Sequence, residues 1–170
     1  AGVVSSDGKE LHRHMGQGLV SDVFSNPDVF DSLVGDSAIG HVRYSTTGNS
    51  DPKNVGPLTF NMGDYSLAIA HNGNLVNIDG IRKQLQDDGA LFQTSTDTEI
   101  IIHLLAREKG DTLAEKLGKV LNKIEGAYSL ILLSPNEIIA ARDPHGIRPY
   151  CMGKLKDTLV FASETCALDL

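Results

Sequence analysis

The strongest constraint on the fold is a run of apolar residues that ends in a polar tetrapeptide. Residues 65–70 are almost continuously apolar, which is typical of a strand buried on both faces. His71-Asn72-Gly73-Asn74 follows, and Asn-Gly between apolar runs commonly marks a hairpin turn. The apolar residues over 75–85, however, have helical spacing and not the alternation of a returning strand. We therefore predict that the strand ends at this tetrapeptide and that a helix follows it.

The rest of the chain predicts a single domain over residues 1–170, in which antiparallel strands are combined with a group of helices. Asp7-Gly8 joins the first two strands as a hairpin, and residues 16–36 are predicted to be irregular. The predicted strands are 2–6, 9–15, 38–44, 65–70, 128–133, 137–142 and 158–163, and the predicted helices are 79–88, 97–109 and 111–125. This order favours an α+β fold built in layers.

Composition excludes several classes of function. The formal net charge is -7 and lysine and arginine are scattered, which argues against nucleic acid as a partner. No apolar run is long enough to span a bilayer, and two cysteines form no disulfide framework. His12 and His14 share a strand face without a third ligand, so we predict no metal site in this chain. We expect a soluble, cytoplasmic protein.

Three polar clusters could together recognise an amino acid. Arg43 could hold a carboxylate, Asp97 could hold an ammonium, and Asn72 with the N–H of Gly73 could stabilise an oxyanion. Such a set suits an α-amino acid with a reactive carbonyl at its far end. Each cluster also has an ordinary structural interpretation, namely a surface ion pair, a helix cap and a tight turn. The pattern alone leaves both interpretations open.

Six motifs that occur in order along the chain resemble a known family. They are GHVRYSTTG (40–48), AHNGNLVN (70–77), TSTDTEI (94–100), GAYSLILL (126–133), RDPHGIRP (142–149) and FASETCALD (161–169). Together they resemble the N-terminal glutaminase domain of the amidophosphoribosyltransferases, over essentially the whole chain. The first three are similar to motifs of all glutamine amidotransferases with an N-terminal cysteine nucleophile, and the last two are more specific to the purine enzyme.

The resemblance implies a fold and a set of site residues. The fold would be a four-layer αββα sandwich of the N-terminal-nucleophile hydrolase type. Arg43 and Asp97 correspond to the pair that binds glutamine, and Asn72 and Gly73 correspond to the oxyanion hole. Thr46 matches a hydroxyl position in the substrate loop. Glu99 is expected to point elsewhere and to form a capping box with Thr96.

The chain departs from the family pattern at its first residue. The family nucleophile is an N-terminal cysteine whose own α-amine is the general base, whereas residue 1 here is alanine. We expect that both ends are cut from a longer protein, that the nucleophile segment is absent and that this fragment is inactive. Cys151 and Cys166 are interpreted as structural thiols and not as replacements for that nucleophile.

The resemblance also implies what the intact protein does. It would transfer the amide nitrogen of L-glutamine to phosphoribosyl pyrophosphate, giving 5-phosphoribosylamine for purine biosynthesis, with a C-terminal phosphoribosyltransferase domain as its partner. That second domain is expected to use Mg²⁺, an iron–sulfur cluster is possible in the intact protein, and a homo-oligomer is expected. Two alternatives stay open: another amidotransferase such as the glucosamine-6-phosphate synthase type, and a glutamine-binding module without catalysis.

Overall fold

A computed structural model describes residues 1–43 and 51–169 of the chain. Within these ranges the strands are β1 Gly2–Ser6, β2 Leu11–Met15, β3 Ser37–His41, β4 Leu58–Asn61, β5 Ser66–Leu75, β6 Gly126–Leu133, β7 Ile138–Arg142, β8 Cys151–Leu155 and β9 Thr158–Ala162. The α-helices are α1 Val20–Val23, α2 Ile78–Asp87, α3 Thr98–Arg107 and α4 Leu113–Leu121. Short 3₁₀ helices cover Pro27–Ser32, Pro52–Asn54 and Thr165–Leu168.

Two antiparallel sheets pack face to face. The smaller sheet has the strand order β2-β1-β3 and the larger one β4-β5-β6-β7, while β8 and β9 form a separate hairpin. Side chains alternate between the two faces of a strand, so each sheet contributes every second residue to the space between them. Val4 and Ile39 from the smaller sheet pack there with Ala68, Ala70 and Leu133 from the larger one.

The helices cover the other face of the larger sheet. Ile101 and Leu105 of α3 and Leu117 of α4 pack on Ile69 and Leu130, and all five side chains are almost fully buried. The apolar residues of α4 recur at the spacing of one helix face, which explains why this helix lies on the sheet.

The outer face of the smaller sheet is covered by shorter helical segments. His14 of β2 contacts Phe24 edge to face, and its Nε2 lies 2.9 Å from the carbonyl of Val23 in α1. The order of layers is therefore helix, sheet, sheet, helix. The predicted α+β sandwich is confirmed.

The structure corrects several predicted elements. Residues 16–36 are not wholly irregular, because they contain α1 and the first 3₁₀ helix. Strand β4 was not predicted, and β5 continues five residues beyond the predicted end at Ala70. The described residues contain no helix that is both long enough and apolar enough to cross a membrane.

Candidate active site

A cavity of about 560 Å³ lies where β3, β5 and the start of α3 meet. Its size is within the range of small-molecule sites. Arg43, Asn72, Gly73 and Asp97 all line it. The three polar clusters therefore converge on one cavity, although they lie far apart in the sequence. The predicted Thr46 lies outside the described residues, and neither Cys151 nor Cys166 lines the cavity.

Asn72 and Gly73 lie inside a strand and not at its end. β5 runs on to Leu75, with Asn72 paired to Ser129 and Gly73 to Tyr128 of β6. The prediction that the strand ends at the tetrapeptide was wrong, whereas the absence of a hairpin was predicted correctly. The Asn72 carboxamide is partly buried and has no hydrogen-bond partner among residues 1–43 and 51–169. Within these ranges its amide N–H groups are unused.

Gly73 is required by the close approach of β6. Its φ of 151° lies in the region that favours glycine. A Cβ at this position would come within 2.0 Å of the carbonyl oxygen of Ala127. The backbone of Gly73 is thus held against β6, next to the Asn72 carboxamide.

Asp97 is held at the start of α3 by contacts from β5. Its Oδ2 accepts a hydrogen bond from the backbone N–H of Leu75 at 3.2 Å, and its Oδ1 lies 3.3 Å from Nδ1 of His71. Burial raises the pKa of Asp97, but the hydrogen bond from His71 and the N–H groups of Leu75 and Thr98 outweigh that effect. The pKa therefore lies below its usual 3.8, and the group is a carboxylate at neutral pH.

The segment before Asp97 is fixed by Glu99, whose side chain is 1% exposed. The Glu99 carboxylate accepts from the backbone N–H groups of Gln93 and Thr94, at 2.8 and 2.7 Å, and from the Thr94 hydroxyl. It points away from the cavity, as predicted. The predicted capping box with Thr96 was wrong, because the N–H of Thr96 donates to the Thr94 hydroxyl instead.

Arg43 and the segment before Asp97 are linked by a buried asparagine. Nη1 of Arg43 donates to the carbonyl of Asn54 at 3.2 Å. The Asn54 carboxamide donates to the Ser95 hydroxyl at 3.2 Å and accepts from the Ser95 N–H. Asn54 is 5% exposed, so it holds the two charged ends of the cavity in a fixed relation.

Sequence reasoning gave no role to several residues of the cavity wall, among them His41, Asn54, His71 and Arg148. Arg148 is delivered by the loop after β7, whose backbone N–H groups at His145 and Ile147 donate to the buried Asp143. The motif RDPHGIRP was the only available signal for it. Asn54 had no signal, because a buried bridging amide has no characteristic spacing in sequence.

Comparisons with known proteins show what this chain is similar to. The Glutamine amidotransferase domain family matches residues 41–169. The amidophosphoribosyltransferase of Bacillus subtilis is 45% identical over the whole chain, which spans 36% of that relative. The amidophosphoribosyltransferase of Lacticaseibacillus casei is 44% identical and aligns with 90% of the chain, which covers 79% of that relative.

Solved structures show the same architecture. The glutamine phosphoribosylpyrophosphate amidotransferase of B. subtilis, solved with ADP and GMP, superimposes with a TM-score of 0.92 at 44% identity, over 99% of this chain and 36% of that one. A structure described as the allosteric regulatory enzyme of purine biosynthesis gives a TM-score of 0.94 at 45% identity, over 99% of this chain and 36% of that one.

The fold is that of the N-terminal-nucleophile hydrolases. The chain belongs to the glutamine amidotransferases, as the glutamine amidotransferase domain of the amidophosphoribosyltransferase family. It spans about a third of the length of the B. subtilis relative and of several other curated relatives that it matches.

Proposed function

We propose that this chain binds L-glutamine and supplies the oxyanion hole for its hydrolysis within a longer amidophosphoribosyltransferase. Glutamine and water would give glutamate and ammonia. In a C-terminal phosphoribosyltransferase domain, ammonia would then displace pyrophosphate from phosphoribosyl pyrophosphate to give 5-phosphoribosylamine. The convergence of Arg43, Asn72, Gly73 and Asp97 on one cavity carries this proposal.

Each residue has a role that follows from its chemistry. The planar guanidinium of Arg43 pairs with the α-carboxylate, and the Asp97 carboxylate accepts from the α-ammonium. The carboxamide of Asn72 and the N–H of Gly73 donate to the oxyanion that forms when the side-chain amide of glutamine is attacked. Thr46 is retained as a proposed substrate-loop hydroxyl. Neither Cys151 nor Cys166 lines the cavity, which supports the proposal that another segment of the longer protein supplies the thiol nucleophile.

The cofactors, assembly and location of the full-length protein remain part of the proposal. Mg²⁺ would serve the phosphoribosyltransferase domain, and an iron–sulfur cluster would also lie outside this chain. In the described part of the chain, no three His, Cys, Asp or Glu side chains are grouped as metal ligands. A cytoplasmic homo-oligomer with no nucleic-acid partner is proposed.

The proposal is tested by separating glutamine use from ammonia use in the full-length enzyme. Arg43→Lys and Asp97→Asn are each expected to raise KM for glutamine by about tenfold or more, because each removes a charge-assisted contact made in both ground and transition states. Synthesis of 5-phosphoribosylamine from added ammonia should be unchanged, because it bypasses the glutamine site.

Matched substitutions outside the cavity serve as controls. Arg107→Lys and Asp87→Asn change the same residue types on α3 and α2, and both should keep the wild-type KM. An unchanged KM in the Arg43 and Asp97 variants would contradict the binding assignment. A full-length wild-type protein that binds glutamine without releasing glutamate would instead support the binding-module alternative.

A further inference from the structure

His71 lies in the cavity wall, and its side chain contacts Asp97. The ring is 2% exposed and projects from β5 toward the helices, on the opposite face of the strand from Asn72. Nδ1 lies 3.3 Å from Oδ1 of Asp97 and 3.4 Å from the hydroxyl oxygen of Thr98. The sequence pattern assigned this residue no role.

The chemistry of the partners determines where the ring proton lies. A carboxylate only accepts hydrogen bonds, so Nδ1 must carry the proton that it donates to Asp97. The backbone N–H of Leu75 donates to the other oxygen, Oδ2. β5 therefore donates one hydrogen bond to each oxygen of Asp97, and the carboxylate, which is 18% exposed, still lines the cavity. The rotation of the carboxylate is fixed by these two donors.

In the described part of the chain, the hydrogen-bond partners of the ring are Asp97 and Thr98. Nε2 of His71 is buried and has no hydrogen-bond partner in the described part of the chain. A buried ring nitrogen without a partner costs free energy, which an apolar side chain of similar size would avoid. A role limited to filling the core therefore does not explain a histidine here.

We propose that His71 is a positioning residue that orients the Asp97 carboxylate toward the α-ammonium of the substrate. It would thereby set the preference of the site for ligands that carry an α-amino group. This inference rests on the proposed function of Asp97. It predicts that loss of the Nδ1 donor weakens recognition of the amino group and leaves recognition of the rest of glutamine intact.

The test compares His71→Asn with His71→Gln in the full-length enzyme. The amide nitrogen of asparagine can occupy the position of Nδ1, whereas that of glutamine is placed near Nε2. The two ligands are L-glutamine, measured by its KM, and 4-carbamoylbutanoate, the same molecule without the amino group, measured by its inhibition constant.

His71→Gln is expected to raise KM for glutamine by about tenfold, as for loss of one hydrogen bond to a charged group, and to leave the inhibition constant of 4-carbamoylbutanoate unchanged. His71→Asn should retain most of the wild-type preference. The double variant His71→Gln/Asp97→Asn should have a KM for glutamine little higher than that of Asp97→Asn alone, because the two residues act as a unit.

Contrary results would be easy to recognise. If His71→Gln weakened the binding of both ligands equally, His71 would be only a structural residue. The same would follow if the effects of His71→Gln and Asp97→Asn on KM added in the double variant. If His71→Gln does not fold, as judged by loss of the ammonia-dependent activity, His71→Leu tests the same prediction, because it removes the Nδ1 donor with an apolar side chain of similar size. It should raise KM for glutamine and leave the inhibition constant of 4-carbamoylbutanoate unchanged. A wild-type enzyme that does not distinguish the two ligands would refute the assignment of Asp97 itself.

Discussion

At the scale of single residues, successive side chains of β5 project from opposite faces of the sheet and therefore have different surroundings. Leu67 and Ile69 belong to the core under the helices, while Ala68 and Ala70 belong to the core between the sheets. By the same alternation, Asn72 projects toward the space between the sheets and His71 toward α3. One strand thus presents the proposed oxyanion donor on one face and a partner for Asp97 on the other.

Asn72→Ala in the full-length enzyme tests the oxyanion assignment. The carboxamide would donate mainly to charge that develops in the transition state, so kcat for glutamine hydrolysis should fall about 100-fold, or about 3 kcal/mol, with little change in KM. Steady-state kinetics with glutamine measure both constants. Asn136→Ala, at the exposed turn after β6, should behave as the wild type. A raised KM with unchanged kcat would make Asn72 a ground-state binding group.

At the scale of elements, the pairing of β5 with β6 determines the geometry of the site. Gly73 and Gly126 both have positive φ, and a Cβ at either would approach the backbone of the opposite strand to within 2.3 Å or less. The two strands therefore come together more closely than side chains would permit. This contact lets β5 continue through an Asn-Gly pair and keeps Gly73 at the cavity.

Gly73→Ala should destabilise the protein, and Gly118→Ala should stabilise it. The first forces alanine into a glycine conformation, which costs at least about 1–3 kcal/mol before the clash with Ala127 is added. The second replaces an exposed glycine within α4, where a Cβ meets nothing within 4 Å, and should add about 0.5–1 kcal/mol. Urea denaturation of the 170-residue chain measures both. Equal effects of the two changes would show that Gly73 is not conformationally required.

Elements with their own periodicity were predictable from sequence, and those made by tertiary pairing were not. The spacing places α2 and α3 within two residues of their observed ends, whereas α4 ends at Leu121, four residues before its predicted end. β5 was predicted too short, because Asn-Gly favours a turn locally and only the approach of β6 overrides that preference. Charge complementarity suggested Arg43 and Asp97, and both line the cavity. The bridging role of Asn54 was not predictable, because it depends on contacts with Arg43 and Ser95 that form only when the chain is folded.

At the scale of the whole molecule, the sandwich brings together segments that are distant in sequence. Arg43 lies two residues after β3, Asn72 and Gly73 lie in β5, and Asp97 lies directly before α3. Buried polar groups then fix the segments to each other, with Asn54 on one side and Glu99 on the other. A site of this kind depends on the stability of the entire domain, including the protonation of its half-buried histidines.

Two of these histidines should make the domain less stable as the pH falls from about 7 to about 5. Burial holds the pKa of His41 and of His103 below the usual value of 6.5. Below that pH the unfolded chain therefore binds protons that the native state does not, and the free energy of unfolding falls. Asp97 and Asp143 have lowered pKa values, so their contribution is kept above about pH 4 and lost only in stronger acid.

Urea denaturation of the chain at a series of pH values measures this dependence. His41→Gln and His103→Gln should each flatten the slope of the free energy of unfolding between pH 7 and pH 5, whatever they do to stability at pH 7. His41 lines the cavity and His103 belongs to α3. Changes at two separated sites are expected to add, so the double variant should lose the sum of the two slopes. An unchanged slope in the double variant would mean that the native state accepts these protons as readily as the unfolded chain.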